Sequence, residues 1–326
     1  MSIRIIGTGS TVPERVITNQ DLEGFLDTSD AWIRERTGIG SRHAATTETT
    51  TSLAVEACRR ALEQAGKKPE DVDLILAATV SADCTFPCLA CEIQAALGAD
   101  DATAYDVNAA CAGFLFALDS AAAHIGCGMY RNALIVGAEV LTKIVDWNDR
   151  SSCILFGDGA GAAYVEASEE GVVAMVQGSN GKKGMALYRY ETPVNNPFCE
   201  VAAAQEEPKG SGFLEMNGQE VFRFAISQVP ESIQAVLDKA GWQKEEVDYY
   251  VLHQANARII QSIAKRLGEP EEKFPMNLHE YGNMSSASIP VLLDELNKAG
   301  KLKRGQKIVL SGFGAGLTYG ATALIW

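Results

Sequence analysis

The segment Ala61-Leu-Glu-Gln-Ala-Gly-Lys-Lys-Pro-Glu-Asp-Val-Asp-Leu-Ile-Leu76 has a counterpart in Val236-Leu-Asp-Lys-Ala-Gly-Trp-Gln-Lys-Glu-Glu-Val-Asp-Tyr-Tyr-Val251. Each segment predicts a helix that ends at Ala-Gly, a short polar turn, and a buried strand that opens with Val-Asp. Glycine after the last helical turn is a common C-terminal stop, so the likeness has a structural meaning. A repeat of this kind predicts a chain made of two similar halves.

A second pair of similar segments follows in the same order, namely Gly157-Asp-Gly-Ala-Gly-Ala-Ala-Tyr and Gly312-Phe-Gly-Ala-Gly-Leu-Thr-Tyr. We expect a tight turn between two strands at each place, with residues 152–156 as the strand before the first turn. The two pairs together divide the chain into an N-terminal half, residues 1–170, and a C-terminal half, residues 171–326.

Strands and helices are expected to alternate within each half. The predicted strands are 3–8, 73–79, 103–107, 132–138, 160–166, 248–253 and 307–311. The predicted helices are 19–26, 49–65, 88–97, 111–127, 219–240, 256–267 and 287–299. This alternation predicts a layered α/β fold with buried strands. The stretch 189–212, which contains three prolines and little periodicity, is predicted to be a long surface loop.

The charge of the chain argues against two classes of partner. The formal net charge is −14 over 326 residues, a sign that repels phosphate backbones and anionic lipid head groups. We therefore expect no nucleic-acid or membrane partner. The N-terminus lacks the apolar core of a secretory signal, so we expect a cytoplasmic protein whose eight cysteines are reduced thiols.

Cys111 is the first candidate for chemistry. It lies between the apolar strand 103–107 and a helix of small residues that begins at the cysteine. The unpaired amides and the dipole at the amino end of a helix favour a thiolate, which is the nucleophilic form. Cysteine is also a common core residue, so its position alone leaves both roles open.

His253 is the best-placed partner for Cys111 among the four histidines. It lies at the carboxyl end of a predicted strand, where ligands and catalytic groups gather in α/β sheets. The repeat puts it in the half opposite Cys111, so the two strand ends can face each other. Asn283 precedes the predicted helix 287–299 and, by itself, is equally well explained as a turn or cap residue.

Longer blocks of sequence resemble a known family. They are Thr28-Ser-Asp-Ala-Trp-Ile-Arg-Glu-Arg-Thr-Gly-Ile39, Asp106-Val-Asn-Ala-Ala-Cys-Ala-Gly-Phe114, Phe156-Gly-Asp-Gly-Ala-Gly-Ala162, Met216-Asn-Gly-Gln-Glu-Val-Phe222, His253-Gln-Ala-Asn-Ala-Arg-Ile259, Gly282-Asn283 and Gly312-Phe-Gly-Ala-Gly-Leu-Thr-Tyr-Gly320. In this order the blocks resemble the β-ketoacyl-acyl-carrier-protein synthase III family, the initiating condensing enzymes of bacterial fatty acid synthesis, in the thiolase-like superfamily.

The resemblance implies a duplicated thiolase-like fold, a five-layer α-β-α-β-α sandwich, and the decarboxylative condensation of an acyl-coenzyme A primer with malonyl-acyl carrier protein. Cys111 would carry the acyl group as a thioester. Neutral His253 and the amide of Asn283 would each donate a hydrogen bond to the enolate that forms as carbon dioxide leaves. The expected oxyanion-hole donors are the backbone amides of Cys111, Ala315 and Gly316. No metal or cofactor is expected, because coenzyme A enters only as a thioester substrate.

The resemblance also assigns both ends of the pocket. The residues expected at the coenzyme A entrance are Trp32, Arg36, Thr37, Arg150 and Asn256, since aromatic and guanidinium planes can enclose an adenine. Phe86 is expected to line the acyl end. Family members often have three glycines where this chain has Gly314-Ala315-Gly316, so the methyl group of Ala315 is expected to shift the oxyanion backbone or narrow the acyl slot. The length and branching of the primer do not follow from the sequence.

Two protein contacts are expected. Carrier-protein docking is assigned to Gln254, Ala255, Asn256, Ala257 and Arg258, with Lys265 and Arg266 as weaker contributors on the same helix face. The helix dipole accounts for cations in the last turn of this helix but not for Arg258 in its first turn. A homodimer is expected through the segment around Phe86 and the helix 88–97.

Two alternative functions are considered beside this one. Cys84, Cys88 and Cys91 have the Cys-x3-Cys-x2-Cys spacing of radical enzymes that bind an iron–sulfur cluster, although Pro87 predicts a helix on which two of these cysteines pack as small apolar groups. An enzyme of secondary metabolism would keep the fold and the triad and transfer the acyl group to another acceptor.

Overall fold

The computed structural model describes residues 2–191, 196–198 and 212–326, so most of the predicted loop 189–212 lies outside the described residues. The strands are β1 Ser2–Thr11, β2 Val16–Thr18, β3 Ser41–His43, β4 Leu74–Ala78, β5 Thr103–Val107, β6 Asn132–Glu139, β7 Gly159–Ser168, β8 Val172–Ser179, β9 Leu187–Tyr188, β10 Glu215–Met216, β11 Tyr249–Leu252, β12 Lys307–Gly314 and β13 Thr318–Ile325. The α-helices are α1 Asn19–Glu23, α2 Asp30–Thr37, α3 Thr50–Ala65, α4 Leu89–Leu97, α5 Gly113–Gly126, α6 Arg150–Cys153, α7 Gly218–Ala240, α8 Ala257–Leu267, α9 Leu278–Tyr281 and α10 Ser288–Lys298.

The helix–turn–strand unit predicted for the two similar segments occurs twice. Helix α3 ends at Gly66 with φ +65°, and α7 ends at Gly241 with φ +71°. Both glycines adopt the left-handed conformation that terminates a helix without steric cost. A single 3₁₀ turn then leads from each helix into β4 or β11.

The two main sheets share one strand arrangement. The first has the order β1-β7-β6-β4-β5, and the second has the order β8-β13-β12-β11. In the first sheet β4 pairs with β6 in parallel and β6 with β7 antiparallel, and β11, β12 and β13 repeat this pattern. Residues 169–171 join β7 to β8, and the boundary expected between residues 170 and 171 falls in this link.

The helices complete five layers. Helices α5 and α10 lie between the two sheets in one apolar core with residues such as Ile3, Leu74 and Leu310. Helices α3 and α4 cover the outer face of the first sheet, and α7 and α8 cover that of the second. The predicted α-β-α-β-α sandwich is confirmed. In the part of the chain that is described, no helix is both long and apolar enough to span a bilayer.

The first member of the second motif pair is arranged differently from the prediction, whereas in the second member residues 315–317 form the expected turn between β12 and β13. Residues 152–156 are not a strand, because the Asp149 side chain caps the short helix α6 at this place. The glycines that follow lie largely within strands. A Cβ on Gly161 would stand 2.6 Å from the backbone nitrogen of Val291, so glycine there allows α10 to pack against the first sheet.

Candidate active site

Cys111 lies in a 3₁₀ turn, Ala110–Ala112, between strand β5 and helix α5. Ala110 has φ +48°, a left-handed conformation that is strained for a residue with a side chain. This turn puts the thiol at the amino end of the central helix, as the sequence predicted. The cysteine is buried, with 8% of its surface exposed.

Burial changes the pKa of this thiol more than the sequence indicated. It raises the pKa of Cys111 to about 12, because a thiolate loses more hydration than a thiol in the same place. Burial therefore opposes the helix-end effect that favours the thiolate. The thiol proton must leave during acyl transfer.

We expect alkylation of Cys111 by iodoacetamide to accelerate about tenfold per pH unit from pH 7 to pH 10, without levelling off, since only the thiolate reacts. The rate is measured by peptide mass spectrometry after short exposures. The denatured chain is the control and should level off near the ordinary thiol pKa. A plateau below pH 9 in the folded protein would contradict the effect of burial.

His253 follows strand β11, and its backbone N–H donates to Ser311 O at 2.9 Å. Its ring meets the Phe313 ring edge to face, with centroids 5.5 Å apart. Burial lowers the pKa of His253 to about 3, so the imidazole is neutral at physiological pH. Its Nδ1 is buried and makes no hydrogen bond to any described residue. A neutral imidazole can donate one N–H and accept at its other nitrogen.

Asn283 is held by backbone bonds on both sides. Its N–H donates to Leu155 O at 2.8 Å, and its carbonyl accepts from Gly157 N at 3.0 Å. Its side-chain Oδ1 accepts from the N–H of Ser285 at 2.8 Å, which fixes the orientation of the amide. The Nδ2 group makes no hydrogen bond to a described residue and is therefore available as a donor on a side chain that lines the pocket.

One pocket of about 540 Å³ joins Cys111, His253 and Asn283. Its walls come from both halves of the chain, and they are mostly apolar around the three polar side chains. The residues that the sequence singled out are therefore brought together, with a thiol, an imidazole and a side-chain amide facing one space.

The glycine-rich segment after β12 forms the wall beside the thiol. A Cβ on Gly314 would stand 2.5 Å from Cys111 N, so only glycine allows this approach of the two backbones. Gly314 lines the pocket and is absent from the predicted oxyanion donors. Ala315 is half-buried against the second-sheet core and does not line the pocket, so its methyl group does not narrow the slot. The amides of Ala315 and Gly316 remain predicted donors.

Two arginines stack on one tryptophan at the pocket entrance. The Cζ atoms of Arg36 and Arg150 lie 5.0 Å and 4.8 Å from the Trp32 ring centroid. Thr37 is buried, and its hydroxyl donates to Ile33 O at 2.6 Å, so it shapes the end of α2. Asn256 caps α8 and donates from Nδ2 to Arg36 O at 3.1 Å, which ties the two helices together.

Two residues predicted for the site, Phe86 at the acyl end and Gln254 in carrier docking, lie in positions that exclude these roles within one chain. Phe86 is 86% exposed and is not among the residues that line this chain's pocket. Gln254 is fully buried, and its Nε2 donates to Leu252 O at 2.9 Å. The assignment of Gln254 to carrier docking is wrong, because its side chain is committed to the core.

Basic residues surround the mouth of the pocket. Arg258 lines it and forms no ion pair with any described residue. Ala255 also lines the pocket, and Ala257 lies in the first turn of α8.

Arg266 instead donates to Ile226 O at 2.9 Å and pairs with Glu231, so it holds α8 against α7. Arg223 also lines the mouth of the pocket. It was not predicted from the sequence, although it directly follows the segment Met216–Phe222, which resembles the family.

The cysteines of the alternative cluster do not form a metal site. Within the described residues there is no group of three or more histidine, cysteine or acidic side chains that could hold a metal ion. The sulfur atoms of Cys88 and Cys91 are 3.5 Å apart at the start of α4, and Cys84 is exposed. The iron–sulfur alternative is not supported.

The sequence matches the family description "3-Oxoacyl-[acyl-carrier-protein (ACP)] synthase III" over residues 105–181 and that of the C-terminal part over residues 237–326. It is 48% identical to the β-ketoacyl-[acyl-carrier-protein] synthase III of Clostridium acetobutylicum, over all of this chain and 99% of that protein.

Solved structures agree with this match. The 3-oxoacyl-[acyl-carrier-protein] synthase III of Aquifex aeolicus has a TM-score of 0.92 at 43% identity, covering 99% of this chain and all of that one. The priming β-ketosynthase of the R1128 polyketide biosynthetic pathway has a TM-score of 0.91 at 38% identity, covering 99% of this chain and 96% of that one. The chain, with its buried cysteine, histidine and asparagine in one pocket, therefore belongs to the β-ketoacyl-[acyl-carrier-protein] synthase III family of condensing enzymes.

Proposed function

We propose that this chain joins an acyl group, taken from coenzyme A, to a malonyl unit on acyl carrier protein, and so forms the first 3-oxoacyl product of fatty acid synthesis. The observation that carries the proposal is the convergence of Cys111, His253 and Asn283 on one pocket whose mouth is ringed by arginines.

The first half-reaction forms the acyl-enzyme. The sulfur of Cys111 attacks the thioester carbonyl, the bond from that carbonyl to the coenzyme A sulfur breaks, and the thiol proton ends on coenzyme A. Backbone N–H groups beside the nucleophile stabilise the oxyanion. The close approach of Gly314 to Cys111 supports a donor from each of the two segments.

The second half-reaction forms the carbon–carbon bond. The malonyl carboxylate leaves as carbon dioxide, and its electron pair becomes an enolate. Two N–H donors, one from neutral His253 and one from Asn283 Nδ2, stabilise the developing oxyanion. The enolate then attacks the acyl carbonyl, and the Cys111 thiolate leaves and takes up a proton. No side chain needs to remove a proton from carbon.

The assignment is tested by incubating the protein with a panel of straight and branched acyl-coenzyme A thioesters. Intact-mass spectrometry reads the acylation, and addition of malonyl-acyl carrier protein reads the condensation. We expect each accepted acyl group to add its mass to Cys111 and then to appear in a 3-oxoacyl product. Acylation without any product from malonyl-acyl carrier protein would reject this acceptor.

Replacing Arg258 by glutamate is expected to raise the apparent KM for malonyl-acyl carrier protein about tenfold, because acidic carriers dock through charge. Acylation of Cys111 by acyl-coenzyme A should stay within about twofold of wild type, and added salt should weaken the wild-type interaction with the carrier. Steady-state kinetics with each substrate varied in turn give both values.

The matched control for that change is Lys265→Glu, which reverses a charge in the last turn of the same helix. Its effect should be smaller. Equal losses in both half-reactions of the Arg258 variant, or no change in either, would remove the docking role.

A homodimer is part of the proposal. Strand β5 is an edge of the first sheet and pairs only with β4 among the described strands, so its free side can take a second copy. Because Phe86 lies outside its own pocket, we place its ring at the acyl end of the partner's pocket. The described cysteines are free thiols, which supports a cytoplasmic location.

Phe86→Asp is expected to weaken the dimer at least about tenfold, since a buried aromatic anchor contributes strongly to an interface. Sedimentation velocity over a range of concentrations measures the effect. Phe25→Asp is the control, because Phe25 is also an exposed phenylalanine, at 58%. A wild-type protein that is monomeric and fully active would contradict the dimer.

A second candidate function keeps the same chemistry. The likeness to a priming β-ketosynthase of a polyketide pathway favours an enzyme that primes another carrier protein. A faster reaction with a polyketide carrier protein than with the fatty acid carrier would select this function.

A further inference from the structure

Glu139 is a buried ionisable residue close to the proposed catalytic residues, and the proposed mechanism does not use it. This residue ends strand β6, is wholly inaccessible to solvent, and forms no ion pair with any described residue. Burial raises the pKa of its carboxyl group. An ionised Glu139 would raise the pKa of Cys111 further.

The first carboxyl oxygen of Glu139 is saturated with donors. Its Oε2 accepts from Ser81 Oγ at 2.5 Å, from Val80 N at 3.1 Å and from Thr79 Oγ1 at 3.2 Å. The two hydroxyl groups are available as donors, because each accepts a backbone N–H of its own: Val140 N donates to Ser81 Oγ, and Ser81 N to Thr79 Oγ1. These contacts join Glu139 to the segment that follows β4.

The second oxygen faces a hydroxyl that already has an acceptor. Ser286 Oγ lies 2.9 Å from Glu139 Oε1 and 2.8 Å from Ala78 O. A serine hydroxyl has one proton, and both of these neighbours are acceptors if Glu139 is ionised. If Glu139 is protonated on Oε1, it donates to Ser286 Oγ, and the hydroxyl proton goes to Ala78 O. Glu139 Oε1, Ser286 Oγ and Ala78 O are then all paired. The buried hydroxyl of Ser285, which also approaches the Glu139 carboxyl group, makes no hydrogen bond to a described residue.

The position of Ser286 connects this pair to the site. It lies in the 3₁₀ turn Ser285–Ala287, which packs on β6 and on the turn that carries Cys111. The preceding residue, Ser285, donates its N–H to Asn283 and has a strained φ of +48°. A link at Ser286 therefore holds the turn that orients the Asn283 amide.

We propose that Glu139 is a neutral carboxylic acid that donates through Ser286 and positions the Asn283 turn without placing a negative charge beside the thiolate and the enolate. The role deepens the proposed function, but the protonation state can be read without any activity. Glu139 touches no reacting atom and is a positioning residue.

The first test is infrared difference spectroscopy of the full chain in heavy water at pH 7.5, wild type minus Glu139→Gln. We expect a carbonyl band of a protonated carboxylic acid. A pair of carboxylate bands in its place would overturn the proposal. Ser286→Ala against wild type is the second comparison and is needed if the glutamine variant does not fold. The acid band should move to higher frequency as its acceptor is lost, and an unmoved band would overturn the assigned partner.

The second test separates positioning from charge. Glu139→Ala should slow condensation about tenfold, as expected for loss of one buried hydrogen-bonded link, while Cys111 acylation stays within about twofold. Glu139→Gln keeps one donor and one acceptor and should restore condensation, with the pH profile of Cys111 alkylation unchanged. An alkylation profile displaced to lower pH in the glutamine variant would mean that a negative charge had been removed, and would overturn the neutral acid. If the glutamine variant condensed as slowly as the alanine variant, the positioning role of Glu139 would be overturned.

Discussion

Replacing Cys111 by alanine is expected to lower the rate of condensation by more than about 10 000-fold, because no covalent acyl carrier remains. Intact-mass spectrometry should show no acyl adduct with any coenzyme A thioester. Slow release of carbon dioxide from malonyl-acyl carrier protein should persist, since His253 and Asn283 still line the pocket. The expected result is therefore that the variant loses acylation and condensation but keeps slow decarboxylation.

The matched control is Cys58→Ala, which removes another fully buried thiol, in helix α3 on the outer face of the first sheet. Each alanine deletes one buried sulfur, so similar stability losses, on the order of 1 kcal/mol, are expected from the two changes. Only the Cys111 variant should lose the adduct. An acyl adduct on another residue of that variant would contradict its role as acceptor.

The layered fold could be predicted because its signal is a repeated local pattern. The α3–β4 and α7–β11 units each combine a left-handed glycine, a polar turn and an apolar strand. Local rules specify all three. The alternation of buried strands with long amphipathic helices then leaves few architectures other than a layered α/β fold.

Helix α2 was missed because its apolar periodicity is too weak to detect. It has eight residues, of which only Ile33 and Thr37 are buried, so it has no apolar periodicity to detect. Its ends do carry local signals, namely the Ser29 side chain that accepts from Trp32 N and the left-handed Gly38. Contacts from Asn19 to the Asp30 carboxylate at 2.9 Å and from Asn256 to the Arg36 carbonyl add to these caps in the folded chain.

The structure brings Cys111, His253 and Asn283 into one pocket, but the sequence did not predict the environment of these side chains. A thiol at a helix start was expected to ionise easily, and burial raises its pKa instead. Gln254 directly follows His253 in the sequence and yet is buried in the core. Desolvation and burial depend on the surrounding layers, which a local pattern does not describe.

Replacing Asn283 by aspartate is expected to leave Cys111 acylation nearly intact and to slow decarboxylation and condensation about 100- to 1000-fold, which is the usual effect of losing one oxyanion donor. The aspartate keeps an oxygen where Asn283 Oδ1 accepts from the N–H of Ser285, so the turn retains its bond. It replaces the Nδ2 donor by an acceptor that repels the enolate. Intact-mass spectrometry reads the first half-reaction and carbon dioxide release reads the second.

Asn283→Ala is the comparison that separates loss of the donor from loss of the turn. Alanine removes the donor and also leaves the buried N–H of Ser285 without its acceptor, at an expected cost of about 1–3 kcal/mol in unfolding free energy. Both variants should therefore lose decarboxylation. A thermal melt reads the stability of each, which alanine lowers through the unpaired N–H of Ser285 and aspartate lowers through burial of a carboxylate. If the aspartate variant failed to accept an acyl group on Cys111, Asn283 would serve the first half-reaction as well, and the division of labour between the two steps would have to be abandoned.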